Sequence, residues 1–166
     1  MSIIDTALIF ATAAHGAVGQ RRKYTDEDYI VHPIRVANIV RSYDGSVEQI
    51  AAAYLHDVLE DTLVEHYMIC DVFGSKVAKL VLELTDISKP SDGNRATRKA
   101  IDREHFINAS EEAQFVKCAD IIDNSSDLAV NDPSFYKVYR DEVILLLDGM
   151  DKVKSEPIHA KACASI

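Results

Sequence analysis

The 166-residue sequence has no tryptophan, three cysteines, six glycines and four prolines. Cys70, Cys118 and Cys163 are far apart, odd in number and form no Cys-x-x-Cys pair, so neither a disulfide framework nor a thiolate zinc site has support. Such thiol usage suits a reducing, cytoplasmic compartment. Scarce Gly and Pro leave long unpunctuated stretches, which favours helices over many short strands. No apolar run approaches the roughly 20 residues needed to cross a bilayer. The opening MSIIDTALIFATAAHG carries Asp5 early and no basic stretch, unlike a signal peptide. Cationic excess is missing too: 18 Lys+Arg stand against 27 Asp+Glu, a formal net charge of −9. A broad nucleic-acid or anionic-membrane surface needs a cationic footprint, so neither partner is expected. A small phosphorylated ligand is not excluded, because a pocket can be locally cationic, above all around a metal ion.

What is present is a balance of 48% hydrophobic and 27% charged residues, typical of a folded domain. Apolar residues at helical spacing predict a helix over residues 3–14, ended by Gly16 and Gly19. A polar loop follows from Gln20 to Val31, and His32-Pro33 opens the next helix. Ser46 with Gln49 three residues on reads as a capping box for an alanine-rich helix from Val47 to about Asp61. Thr62 is expected to cap a helix to Phe73, with Gly74 stopping it and Ser75 starting another. Ser88–Gly93 reads as a loop, and Asn94 and Ser110 as caps of two further helices. Asn131-Asp132-Pro133 breaks the second of these, and a last helix runs from Ser134 to Met150. No segment alternates like a strand. The expectation is an all-α, compact multi-helix bundle over residues 1–150, followed by a frayed tail over 151–166.

The chemistry concentrates at Tyr54-Leu-His-Asp-Val-Leu-Glu-Asp-Thr62. His56 and Glu60 are four apart, as are Asp57 and Asp61, so on one helix each pair would share a surface. Three crowded acids repel one another unless a cation neutralises them, and a histidine among them adds a good divalent-metal ligand. Further ligands could come from His32 and from Asp120, which lies in the apolar run Phe-Val-Lys-Cys-Ala-Asp-Ile-Ile. Two His and two Asp suit Mn²⁺, Fe²⁺ or Zn²⁺ better than Ca²⁺. The plainer readings stay open at this level. An acidic helix face can point to solvent, a His before Pro can be a turn residue, and Asp120 can pair with Lys117. His15, after a helical alanine pair, reads as packed or half-exposed, with a place near this site as the open alternative.

The set His32 … His56-Asp57 … Asp120 resembles the signature of HD-domain phosphohydrolases. Tyr29-Ile30-Val31-His32-Pro33, Leu55-His56-Asp57-Val58-Leu59-Glu60-Asp61-Thr62, Phe73-Gly74 and Lys117-Cys118-Ala119-Asp120 with Asn124 are similar to motifs of the RelA/SpoT hydrolase domain and of the small alarmone hydrolases. The resemblance runs from about residue 5 to residue 150. It implies an HD-domain bundle and a Mn²⁺-dependent enzyme of the stringent response. Such an enzyme removes the 3′-pyrophosphate from guanosine 3′,5′-bis(diphosphate). Carried over by position, His32, His56, Asp57 and Asp120 would hold one metal. Glu60 and Asp61 would position and deprotonate the attacking water. Arg22 and Lys23 would meet the phosphates and Asn124 the nucleoside, with Arg95 and Tyr139 as further phosphate and ribose contacts. Two departures stand out. Asp28 stands where the family usually has Pro, and Ile121-Ile122-Asp123-Asn124-Ser125 replaces a more basic run. Other readings are an HD hydrolase of another nucleotide (an adenine alarmone, the 2′-phosphate of NADPH, a deoxynucleotide) and a nucleotide sensor without turnover. A homo-oligomer is a further open expectation.

Overall fold

The computed structural model describes all residues, 1–166, as nine α-helices without a β-strand. They fall into two compact units, Met1–Thr85 and Asp86–Ile166. The first holds α1 (Ile3–Ala17), α2 (Val31–Ser42), α3 (Val47–Leu55), α4 (Val58–Asp61) and α5 (His66–Leu84). The second holds α6 (Arg95–Asn108), α7 (Glu111–Asn131), α8 (Pro133–Gly149) and α9 (Pro157–Cys163).

In the first unit α3 packs against α1, α2 and α5. Small residues make this possible. Ala7 and Ala11 on α1 and Ala51, Ala52 and Ala53 on α3 are all fully buried, so the helix backbones approach closely. Capping boxes set both starts: Ser2 with Asp5 on α1, and Ser46 with Gln49 on α3. The loop between α1 and α2 closes on itself. Arg21 pairs with Asp28 and Asp26, and the Arg22 amide donates to the Glu27 carbonyl at 2.8 Å. Asp28 thus has a local task where the family usually has proline.

Two expectations for this unit need correction. The helix expected from Val47 to Asp61 is broken: α3 ends at Leu55, and His56 and Asp57 form a turn before the single-turn α4. The Ala53 carbonyl, which a continuous helix would use for the Asp57 amide, accepts the His56 Nδ1–H at 2.8 Å. Thr62 does not cap α5, which begins at His66; its hydroxyl donates to the Val58 carbonyl at 2.6 Å and accepts from the Val64 amide at 3.1 Å. Gly74 breaks α5 where the sequence placed a stop, with φ 81° in the left-handed region that favours glycine.

In the second unit α7 packs against α8 and α9. Asn94, Ser110 and Asp132 cap α6, α7 and α8 through side chains that accept from Thr97, Ala113 and Phe135 amides. The segment 151–166, expected to be frayed, is ordered. Val153, Ile158 and Ala162 are fully buried, and His159 Nε2 lies 3.0 Å from the Leu147 carbonyl. Its apolar stripe is too short to register as periodicity, yet it covers part of the core.

Candidate metal centre

Four rings, two from helices, one from a loop and one from the turn after α3, form a row in the first unit. His15 of α1 lies 4.7 Å from Tyr29, Tyr29 lies 5.9 Å from His32 of α2, and His32 lies 5.1 Å from His56 after α3 (ring centroids). His15 follows the buried stripe Ala7–Ala11 by one more helical turn, which carries it into the core at 2% exposure. His32 and His56 are equally buried.

At the end of this row stands Asp57. Its Oδ2 lies 3.0 Å from His56 Nε2 and 3.7 Å from His32 Nε2. One ligand atom from each of His32, His56 and Asp57 lies within 4.8 Å of the others. Because His56 Nδ1–H is spent on the Ala53 carbonyl, the neutral ring turns a lone pair on Nε2 toward an anionic oxygen. Two facing lone pairs repel. A cation between them relieves this, and an N/N/O donor set at such separations fits a divalent ion of the Mn²⁺, Fe²⁺ or Zn²⁺ kind. The Tyr29 hydroxyl donates to Asp57 Oδ2 at 2.6 Å, which fixes the carboxylate from outside.

Glu60 and Asp61 lie one turn on, on α4, and both face solvent. Gln20 Nε2 donates to Asp61 Oδ2 at 2.9 Å. Burial on its protein side raises the Asp61 carboxyl above its ordinary range, with the Asp57 charge adding to this and the Gln20 bond opposing it. A raised carboxyl is a better proton acceptor near neutrality. The half-buried Arg22 has its guanidinium 5.8 Å from the Tyr29 ring. Lys23 is exposed and donates to the Tyr24 hydroxyl at 3.2 Å.

The remaining expected residues belong to the second unit. Asp120, 5% exposed on α7, accepts from Lys117 Nζ at 2.9 Å and from Asn124 Nδ2 at 2.7 Å. Arg95 donates twice to Glu142, each bond 2.8 Å, and its guanidinium lies 5.0 Å from the Phe135 ring. Tyr139 has its phenol pushed up by burial and by the Asp120 charge. Of the four expected ligands, three therefore cluster within one unit, and Asp120 is carried by the other.

Sequence reasoning missed Gln20 and Tyr29 as site residues; for His15 it favoured packing and left a place near the site open, and the ring is both buried and beside Tyr29. Tyr29 stands three residues before His32, a spacing that hints at a shared face. Nothing near His15 or Gln20 signals that they reach toward Asp61, which is 41 residues beyond Gln20.

Comparison with known proteins agrees with this geometry. Residues 7–129 match the HD domain family. The MESH1 guanosine-3′,5′-bis(diphosphate) 3′-pyrophosphohydrolase of Danio rerio is 36% identical over 135 residues, covering 77% of this chain and 73% of its own. A probable guanosine-3′,5′-bis(diphosphate) 3′-pyrophosphohydrolase of Synechocystis is 34% identical over 134 residues. That match covers 79% of this chain but only 17% of the Synechocystis protein, so the chain spans a small part of that longer relative. A solved metazoan orthologue of SpoT that hydrolyses ppGpp superposes with a TM-score of 0.85 at 27% identity, over 99% of this chain and 94% of its own. With an HD-domain match over most of its length, a MESH1-like sequence and a His/His/Asp cluster at the HD motif, the chain belongs to the HD-domain family, in the branch of the RelA/SpoT and small alarmone hydrolases.

Proposed function

We propose that the chain is a metal-dependent guanosine 3′,5′-bis(diphosphate) 3′-pyrophosphohydrolase. The observation that carries this is the clustering of His32, His56 and Asp57 in the first unit, with Asp61 one turn on. The names of the MESH1 relative and the Synechocystis relative support the substrate.

His32, His56 and Asp57 would hold the ion, which we take to be Mn²⁺; Asp120 is the fourth ligand that the family resemblance supplies. A divalent ion lowers the pKa of a bound water and offsets charge on the phosphoryl group. The chain's own groups do the rest. His56 presents Nε2 because Ala53 holds its other nitrogen. Asp57 is kept in place by Tyr29. Asp61, with its raised pKa, accepts the proton of the attacking water, and Glu60 beside it orients that water. Arg22 and Lys23, on the loop before α2, offset phosphate charge. Asn124 and Tyr139 of the second unit are assigned to the nucleoside. Arg95 is the phosphate contact with the largest barrier, since it must first leave a bidentate carboxylate.

Pyrophosphate release from the guanosine compound and from its adenosine counterpart tests this. The guanosine compound is expected to react faster, with activity lost on chelation and restored by Mn²⁺. Asp57→Asn is expected to lower both bound Mn²⁺ and release to background. Equal or reversed rates would defeat the guanosine assignment. Release that survives chelation would defeat the metal.

A further inference from the structure

Apart from the metal cluster, the first unit buries a polar atom that has no hydrogen bond. His15 is 2% exposed, and its Nε2 finds no partner. Its Nδ1 lies 2.7 Å from Gln20 Oε1, and Gln20 Nε2 lies 2.9 Å from Asp61 Oδ2. The proton positions along this chain follow from chemistry. An ionised carboxylate only accepts, so the Gln20 amide must turn its NH₂ toward Asp61. Its carbonyl then faces His15, and His15 must carry its proton on Nδ1. The lone pair is left on Nε2, in the core, where it costs stability. Burial lowers the His15 pKa, which keeps the ring in this neutral form, with the Gln20 bond and the Asp57 and Asp61 charges opposing.

An apolar side chain would extend the Ala7–Ala11 stripe without that cost. What an apolar residue could not do is orient the Gln20 amide. The Gln20 backbone is already tied down at both ends, its amide to the His15 carbonyl at 3.1 Å and its carbonyl to the Tyr29 amide at 3.3 Å. Only the side chain is left free to turn, and His15 removes that freedom. Asp61 needs such a support, because α4 is a single turn and the residue faces solvent.

We infer that His15 and Gln20 are positioning residues: His15 fixes the Gln20 amide, and that amide holds the Asp61 carboxylate in the orientation from which it takes the proton of the attacking water. The inference rests on Asp61 being the base. Misplacing a base by an ångström or so slows turnover about ten- to a hundredfold with little effect on substrate binding.

The test uses the full chain loaded with Mn²⁺ and compares His15→Leu, His15→Asn, Gln20→Ala and Asp61→Asn. Turnover number, KM, Mn²⁺ per chain and melting temperature are measured for each. Gln20→Ala and His15→Leu are expected to lower kcat about tenfold or more, with KM within about twofold and Mn²⁺ content unchanged. His15→Asn keeps an N–H where Nδ1 stood, so it is expected to recover most of the lost kcat. If His15→Leu fails to fold, Gln20→Ala carries the test, since Gln20 is a half-buried loop residue. The inference is overturned if Asp61→Asn abolishes turnover while Gln20→Ala stays within about twofold of the parent, or if His15→Asn is as slow as His15→Leu. Turnover that survives Asp61→Asn overturns the reading of Asp61 as base, and this inference with it.

Discussion

In the first unit the buried ionisable groups are mainly imidazoles, those of His15, His32 and His56; in the second they are mainly carboxylates, those of Asp102, Asp120 and Asp123. The two sets are treated differently. Asp102 is saturated with donors: the Ile87 and Ser88 amides at 3.0 and 2.8 Å and the Ser88 hydroxyl at 2.8 Å, with Lys99 at 3.7 Å. Burial alone would raise its pKa, yet these bonds and the Lys99 charge prevail and lower it. His15 and His56 each have one nitrogen committed; His56 turns the other toward Asp57, and His15 leaves it unmet. A saturated buried charge stabilises a fold. An unmet buried lone pair costs stability, so its presence calls for another reason, which for His15 is the support it gives Gln20.

The largest effect is expected at Asp102. Asp102→Ala strands two backbone amides and a hydroxyl, for a loss on the order of 2–4 kcal/mol. That lowers the melting temperature by roughly 5–10 °C in a chain of this size. Mn²⁺ content is expected to stay at the parent value, and a loss of metal would mean that Asp102 serves the site as well as the fold. A smaller effect, of a different kind, is expected at Tyr29. Tyr29→Phe removes the 2.6 Å bond to Asp57 and keeps the ring stack, so Mn²⁺ affinity should fall about tenfold with the melting temperature little changed. Metal titration by calorimetry reads this directly, and an unchanged affinity would show that Asp57 needs no outer support. The smallest effect separates the units by pH. His15 has a folded pKa below its ordinary 6.5, so the unfolded chain binds more protons in that window. Its contribution is in place above pH 6.5 and drains as pH falls through the folded value. Asp102 lies below its ordinary 3.8, so its contribution persists down to that pH and drains only beneath it. Melting temperature followed from pH 7 to 3 should slope downward in the upper window for the parent and less so for His15→Leu; parallel curves would remove His15 from this account.

Much of the architecture was legible in the sequence. The caps Ser46, Asn94 and Ser110 work as their residue types and spacings suggested, because capping is a contact over three residues. Cys118 is core, its thiol pushed up to about 12 by burial, as its apolar neighbours implied. The break at His56-Asp57 was not legible. The apolar pattern runs straight through it, and the break goes with an imidazole on the Ala53 carbonyl, which no periodicity reports. The pairs His56/Glu60 and Asp57/Asp61, neighbours on a continuous helix, are thereby divided between a turn and a separate helix.

The helices, most of their ends and the residue types able to grip a cation follow from local stretches of chain, because periodicity, capping and ligand chemistry are properties of a few neighbouring residues. It took the packed fold to bring Tyr29 to Asp57 from 28 residues away and Gln20 to Asp61 from 41 away, and to leave His15 with one nitrogen on a carbonyl oxygen and the other without a hydrogen bond. Such contacts are made by helices brought close on buried alanines, and a chain read one residue after another carries no mark of where they will meet.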